Sequence, residues 1–328
     1  ENELSQAFTA YNTRVITPPS GSMMPTAPVK KNIALVAFAL GILIPVLIIF
    51  IRENMNTKVR GRKDLEHLSL PFVGEIPLAE GNKKAKAFKE IIIHQGKRDI
   101  VNEAFRVLRT NLEFILDARE AKGKASITLI TSFNPGSGKT FLTLNTAATF
   151  ALKGKKVLVI DGDLRHGSAS AYMDSPKKGL SDYLGKRAED IDALIREKAD
   201  CPGLSVLPVG TIPPNPTELL AEPRFRELIE ELRSRYDYIF IDCPPIDIVA
   251  DTQIIEKLAD RTLFVVRAGL LERDMLAELQ RYYEEKRFKN MALVLNGTEG
   301  SGHRYGYRYG YKYGYQYGYG GGKYYNSK

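Results

Sequence analysis

Cysteine and histidine are scarce in this chain. Its 328 residues include two cysteines, Cys201 and Cys243, and four histidines, His67, His94, His166 and His303. Two distant thiols make no disulfide framework, and the histidines show no ligand spacing, so neither a stapled secreted scaffold nor a His- or Cys-built metal centre is supported. Charge is missing from one stretch: Ile33 to Ile51 is an apolar run broken only by Gly41 and Pro45. About 19 residues rising 1.5 Å each cross a hydrocarbon layer of about 30 Å. The run therefore predicts a transmembrane helix over 33–51 rather than a core helix, because soluble cores rarely need every face apolar.

Aliphatic side chains are absent from the C-terminal end. What stands there is a four-residue repeat, YGYR, YGYK, YGYQ and YGYG, in which Tyr305, Tyr307, Tyr309, Tyr311, Tyr313, Tyr315, Tyr317 and Tyr319 alternate with glycine and polar residues before Tyr324 and Tyr325. Glycine at every fourth position opposes a helix, and the segment has little to bury, so 298–328 reads as a mobile tail. It offers phenolic hydroxyls. Alone, such a tail reads as an adhesive low-complexity segment; a nucleotide site upstream makes those hydroxyls candidate phosphate acceptors.

That site begins at Ser132. The buried-strand pattern Ile127 to Thr131 precedes SFNPGSGKT, and an unbroken Ala-, Leu- and Thr-rich run follows to Phe150, giving the strand–loop–helix context of a P-loop. Asn134, Pro135, Gly136, Ser137, Gly138, Lys139 and Thr140 are the candidate nucleotide-binding residues. Gly136 and Gly138 let amides turn to phosphate, Lys139 reaches the β and γ phosphates, and the Thr140 hydroxyl is placed to ligate magnesium. Phe133 stands where the usual pattern has its first glycine.

Two more apolar strands end in carboxylates. Lys155 to Ile160 leads into Asp161, Gly162, Asp163, Leu164 and Arg165, and Tyr238 to Ile241 leads into Asp242, Cys243, Pro244 and Pro245. Ligands of open parallel sheets bind beyond strand C-termini, where the P-loop also lies. Asp161 and Asp242 join Thr140 as candidate metal ligands, and Asp161 and Asp163 join Lys139 as catalytic candidates. A carboxylate within reach of a tyrosine hydroxyl orients it and takes its proton. Asp161 is favoured as the metal-linked base and Asp163 as its neighbour, with the division between them left open.

These segments together resemble the bacterial tyrosine kinases, the BY-kinases, and in particular their Wzc-type membrane-anchored members. The resemblance rests on Walker A (Ser132 to Thr140), Walker A′ (Val157 to Arg165) and Walker B (Tyr238 to Pro245), on EAFRVLR from Glu103 to Arg109, and on PPNPTELL from Pro213 to Leu220. Asn134 replaces the signature lysine of related partition and septum-positioning ATPases. Cys243 stands where the family often has Ser or Thr, and Ser168 where some relatives carry a regulatory tyrosine. The resemblance implies an autokinase that uses ATP and Mg2+ and phosphorylates its own tail in trans. It also implies a ring of copies built through Glu103, Arg106 and Arg109, a separate tyrosine phosphatase, and control of capsule or exopolysaccharide export. The alternative is a P-loop ATPase driving membrane-linked assembly without tyrosine phosphorylation.

The expected fold is a doubly wound, mostly parallel α/β sheet of P-loop NTPase type, with short strands alternating with helical patterns. The expected segments are a proline-containing stub at 1–32, the membrane helix at 33–51, a basic juxtamembrane segment and linker at 52–97, the kinase domain at 98–297 and the tail at 298–328. Arg52, Lys58, Arg60, Arg62 and Lys63 outnumber Lys30 and Lys31 across the span. The bias puts the C-terminal side inside, and the resemblance then implies an inner-membrane protein with the kinase domain cytoplasmic and the stub periplasmic. The resemblance makes the chain a fragment lacking a first membrane helix and a periplasmic domain. The net charge of +8 collects in the juxtamembrane segment and the tail, which argues against a nucleic-acid partner.

Overall fold

The computed structural model describes residues 21, 29–54, 56–78, 91–96, 99–117, 124–246 and 250–299. The tail tyrosines and the stub's prolines lie outside the described residues, as does most of the linker. The chain divides after Asn56 into two units. The first holds helix α1 (Lys30–Asn54), longer at both ends than the predicted span. Its apolar side chains are exposed along its length, an arrangement that suits a lipid surround and not water.

The second unit is built on eight strands: β1 (Phe72–Pro77), β2 (Ser126–Thr131), β3 (Val157–Asp161), β4 (Arg196–Glu197), β5 (Leu204–Leu207), β6 (Tyr238–Asp242), β7 (Arg261–Arg267) and β8 (Ala292–Thr298). Its helices are α2 (Ile100–Asp117), α3 (Lys139–Ala151), α4 (Leu180–Leu184), α5 (Pro216–Ala221), α6 (Pro223–Arg233), α7 (Asp251–Glu256) and α8 (Met275–Glu284). The strand order is β1-β8-β7-β2-β6-β3-β5-β4. Every described pairing within it is parallel except the β4–β5 edge.

Burial on both sheet faces explains why these strands read as continuous apolar runs. Successive side chains alternate faces. Val157, Val159 and Phe240 join Phe105 and Leu108 of α2 and Ala147 and Ala148 of α3 in one core. Leu158, Ile160 and Ile241 join Phe225, Leu228 and Leu232 of α6 in the other.

The folded domain starts earlier than the sequence boundary near residue 98. β1 comes from the 52–97 segment and pairs with β8, Gly74 opposite Val294 and Ile76 opposite Asn296. Val59, Leu65 and Leu70 are buried with Phe133, Phe264 and Leu279. Val73 and Ile76 carry the apolar side chains that β1 buries. A short strand interrupted by Gly74 and closed by Pro77 gives little periodicity to read, and its partner strand lies at the far end of the chain.

Candidate active site

The P-loop joins the end of β2 to α3, and local geometry requires its glycines. Gly136 and Gly138 have φ +76° and +86°, left-handed values that a β-carbon disfavours. Gly138 caps α3 without a side-chain bond, which leaves first-turn amides for an anion. The Ser132 and Ser137 hydroxyls both donate to the Asn134 carbonyl, at 2.8 and 2.7 Å, and the buried Asn296 of β8 donates Nδ2 to the Ser137 carbonyl at 2.9 Å. Phe133 is buried against Phe264, ring centres 4.9 Å apart. It anchors the loop by packing and needs no left-handed backbone, which accounts for the missing first glycine.

Thr140 and Asp242 meet directly: the threonine hydroxyl donates to Asp242 Oδ2 at 2.6 Å. Asp161 lies opposite Asp242 in the β3–β6 register. The turn after it passes close to β6. Gly162 donates its amide to the Asp242 carbonyl at 2.8 Å, and a β-carbon at 162 would come within 3.0 Å of that oxygen. Lys139 is held below the ordinary lysine pKa because burial outweighs the pull of Asp242 and Asp163.

The paired carboxyls have opposite reasons to hold and to release protons. Burial and the neighbouring Asp242 push Asp161 up to about 8, against two bonds from Ser170. Burial pushes Asp242 up to about 6, against the Thr140 bond and Lys139. The Ser170 amide and hydroxyl both donate to Asp161 Oδ2 at 2.7 Å. Oδ1 is buried with no hydrogen-bond partner among the described residues.

A hard divalent cation fits this set. An orphaned carboxylate oxygen, a hydroxyl and a second carboxylate are all-oxygen donors, too few for a closed cage but suited to magnesium, which keeps waters and phosphate oxygens. Among the described residues no group of three His, Cys, Asp or Glu side chains forms a metal cage.

Several contacts near the site carried no sequence expectation. His166 places Nδ1 3.2 Å from both oxygens of Asp163. Arg165 donates through Nε to Asp251 at 3.0 Å and through Nη2 to the Thr217 hydroxyl at 3.0 Å, and that hydroxyl donates to Asp251 at 2.6 Å. This triad ties Walker A′ to the PPNPTELL segment and to α7. Spacing in the chain offers no signal for it. Cys243 is buried, its amide donates to the Ile130 carbonyl at 3.0 Å, and burial drives its thiol well above the ordinary value.

The three candidate interface residues of α2 do not share one free face. Glu103 and Arg106 pair with each other at 2.9 Å. Arg109 turns inward and donates to the Thr149 carbonyl of α3 at 3.0 Å.

The family model for an AAA domain matches residues 125–287. The chain is 32% identical over 315 residues to a putative tyrosine-protein kinase EpsB of Ralstonia solanacearum, covering 92% of this chain and 41% of that protein. To the tyrosine-protein kinase etk of Escherichia coli K12 it is 30% identical over 315 residues, covering 90% and 42%. The chain thus spans about two fifths of the length of these curated relatives. Among solved structures, the kinase domain of E. coli tyrosine kinase ETK aligns with TM-score 0.65 at 30% identity, over 80% of this chain and 100% of that one. The BceF tyrosine kinase domain aligns with TM-score 0.63 at 31% identity, over 73% and 99%.

Proposed function

Since the chain belongs to the bacterial tyrosine-protein kinase family, we propose that it is a membrane-anchored autokinase that transfers the γ-phosphoryl group of ATP to its own tail tyrosines. The observation that carries this reading is the direct bond of Thr140 to Asp242, with Asp161 in register on the next strand and its Oδ1 unpartnered among the described residues.

Phosphoryl transfer by P-loop enzymes is chiefly positioning and charge neutralisation. Lys139 and the amides at the start of α3 hold the β and γ oxygens. Thr140, Asp242 and Asp161 Oδ1 are the groups that would hold Mg2+. Bound there, the ion neutralises charge on the β and γ phosphates. The phenolic oxygen of the acceptor tyrosine forms the new bond to γ-phosphorus as the bond to ADP breaks. Where the sequence favoured Asp161 as the base, we assign the proton to Asp163, because Ser170 already donates twice to Asp161.

At full extension, roughly 30 residues after Gly297 span up to about 100 Å, enough to serve a neighbouring copy. We further propose that copies form a ring through α2 and that phosphorylation opens it. Each phosphate adds about −1.5 to −2 charge, so a few reverse the basic tail. A phosphatase then resets the ring. Export of capsule or exopolysaccharide is the process so regulated, at the inner membrane with the kinase unit cytoplasmic.

Incubation of purified protein with γ-labelled ATP tests the chemistry. Acid- and alkali-stable label on the chain is expected; released phosphate with an unlabelled chain would leave the ATPase reading.

A further inference from the structure

Arg267, the last residue of β7, lies on the opposite side of the P-loop from the two metal-facing carboxylates. Its guanidinium is half-buried. Burial holds its pKa below the ordinary arginine value, and no neighbouring carboxylate opposes that shift. The nearest atoms that a β-carbon on Gly297 would meet are all in this guanidinium. Its Nη1 also comes within 3.9 Å of where a β-carbon on Gly138 would sit. The group thus rests on the β8 backbone at the edge of the phosphate loop, with no hydrogen-bonded acceptor among the described residues.

The segment carrying Arg267 is braced. Its carbonyl accepts from Leu270 and Leu271 at 3.2 Å, Val59 and Leu271 bond at 2.8 Å, and Gly269 donates to the Val59 carbonyl at 2.8 Å. Arg273 pairs with Asp64 at 3.1 Å. A braced, uncompensated cation beside a nucleotide loop points to a ligand that completes it.

Strand order decides which part of the ligand that is. β6 and β3 lie on one side of β2, and β7 and β8 on the other. Asp242 and Asp161 fix the reacting phosphate over β6 and β3, and the loop after β2 holds the remaining phosphates. The base then falls over β7 and β8, where Arg267 lies. A guanidinium is planar, delocalised and weakly hydrated, and stacks on π faces.

We propose that Arg267 is the platform on which the purine base of ATP stacks. This rests on the reading of the P-loop as an ATP site and adds a residue that recognises the base.

The test compares binding of ADP with binding of inorganic tripolyphosphate, a probe with phosphates and no base, by calorimetry on the detergent-solubilised full chain. Arg267→Met is expected to weaken ADP binding about tenfold, the scale of lost base stacking, and to leave tripolyphosphate binding unchanged. Arg267→Lys keeps the charge, loses the plane, and is expected to weaken ADP comparably. Unchanged ADP binding overturns the proposal, and so does an equal loss for both probes, which would put the guanidinium on phosphate. If Arg267→Met does not fold, Gly297→Ala, which sets a β-carbon against the guanidinium, is expected to give the same split between probes. A wild-type chain that binds neither probe while Arg267→Met melts normally would overturn the ATP-site reading itself, a distinct failure.

Discussion

Asp161 and Asp242 face each other in register at the C-terminal ends of adjacent parallel strands, both buried. In the unfolded chain each ionises near pH 4, whereas in the folded chain Asp242 holds its proton to about 6 and Asp161 to about 8. The folded state therefore binds more protons across that window, so stability present at about pH 4 is lost as pH rises towards 8. The melting temperature of nucleotide-free, metal-free protein should fall between about pH 5 and about pH 8, and Asp161→Asn should flatten most of the slope. A melting temperature that climbs through this window would contradict the assignment.

Ser170 occupies Oδ2 of Asp161 and leaves Oδ1 without a hydrogen-bond partner among the described residues. Val209 donates its amide to the Ser170 hydroxyl at 2.8 Å, so the hydroxyl proton is committed to Asp161. Removing a hydrogen bond to a charged acceptor weakens it by about 1.5 to 3 kcal/mol. Ser170→Ala should therefore raise the Mg2+ concentration needed for half-maximal labelling by about tenfold or more, with ADP binding in chelator unchanged. Titrating Mg2+ against both readouts checks this, and parallel loss in both would indicate a general structural defect.

Asp251 is fully buried and holds Arg165 and Thr217 together. Asp251→Ala removes the carboxylate that accepts from both Arg165 Nε and the Thr217 hydroxyl, a destabilisation of about 2 kcal/mol after allowing for the exposed edge of Arg165. Denaturant unfolding should show that loss, and Thr217→Val a smaller one of about 1 kcal/mol. No change in the unfolding midpoint of Asp251→Ala would remove the triad's role.

Within the α2 motif, Arg109 should behave differently from its neighbours. Its bond to Thr149 ties α2 to α3, so Arg109→Ala should lower the melting temperature even in a monomer. Glu103→Ala with Arg106→Ala removes an exposed ion pair, a contact worth under about 1 kcal/mol, and should change oligomer size with little change in the melt. Light scattering and calorimetry on the same samples separate the two effects. An unchanged oligomer in the double variant would count against α2 as a ring contact.

The phosphate loop and the two strand-end carboxylates were legible in the sequence because each is a contiguous motif whose residues act side by side. The parallel sheet was legible for a related reason: strands such as Val157–Asp161 are buried on both faces and read as unbroken apolar runs. Contacts closed by distant segments were not. Phe133 looked like a departure from the loop pattern until Phe264 supplied its partner. Arg109 stood among the three ring candidates, but the Thr149 carbonyl that draws it inward belongs to another helix. β1 went unread as a strand of the domain because β8 stands between it and the rest of the sheet.

Transfer to tyrosine is the central claim, and mass spectrometry of the tail after incubation with ATP and Mg2+ tests it most directly. Phosphate on several residues between Tyr305 and Tyr325 is expected in the wild-type chain, and almost none in Lys139→Met purified and treated identically. An unmodified wild-type tail, or equal modification of the Lys139→Met chain, would contradict the account.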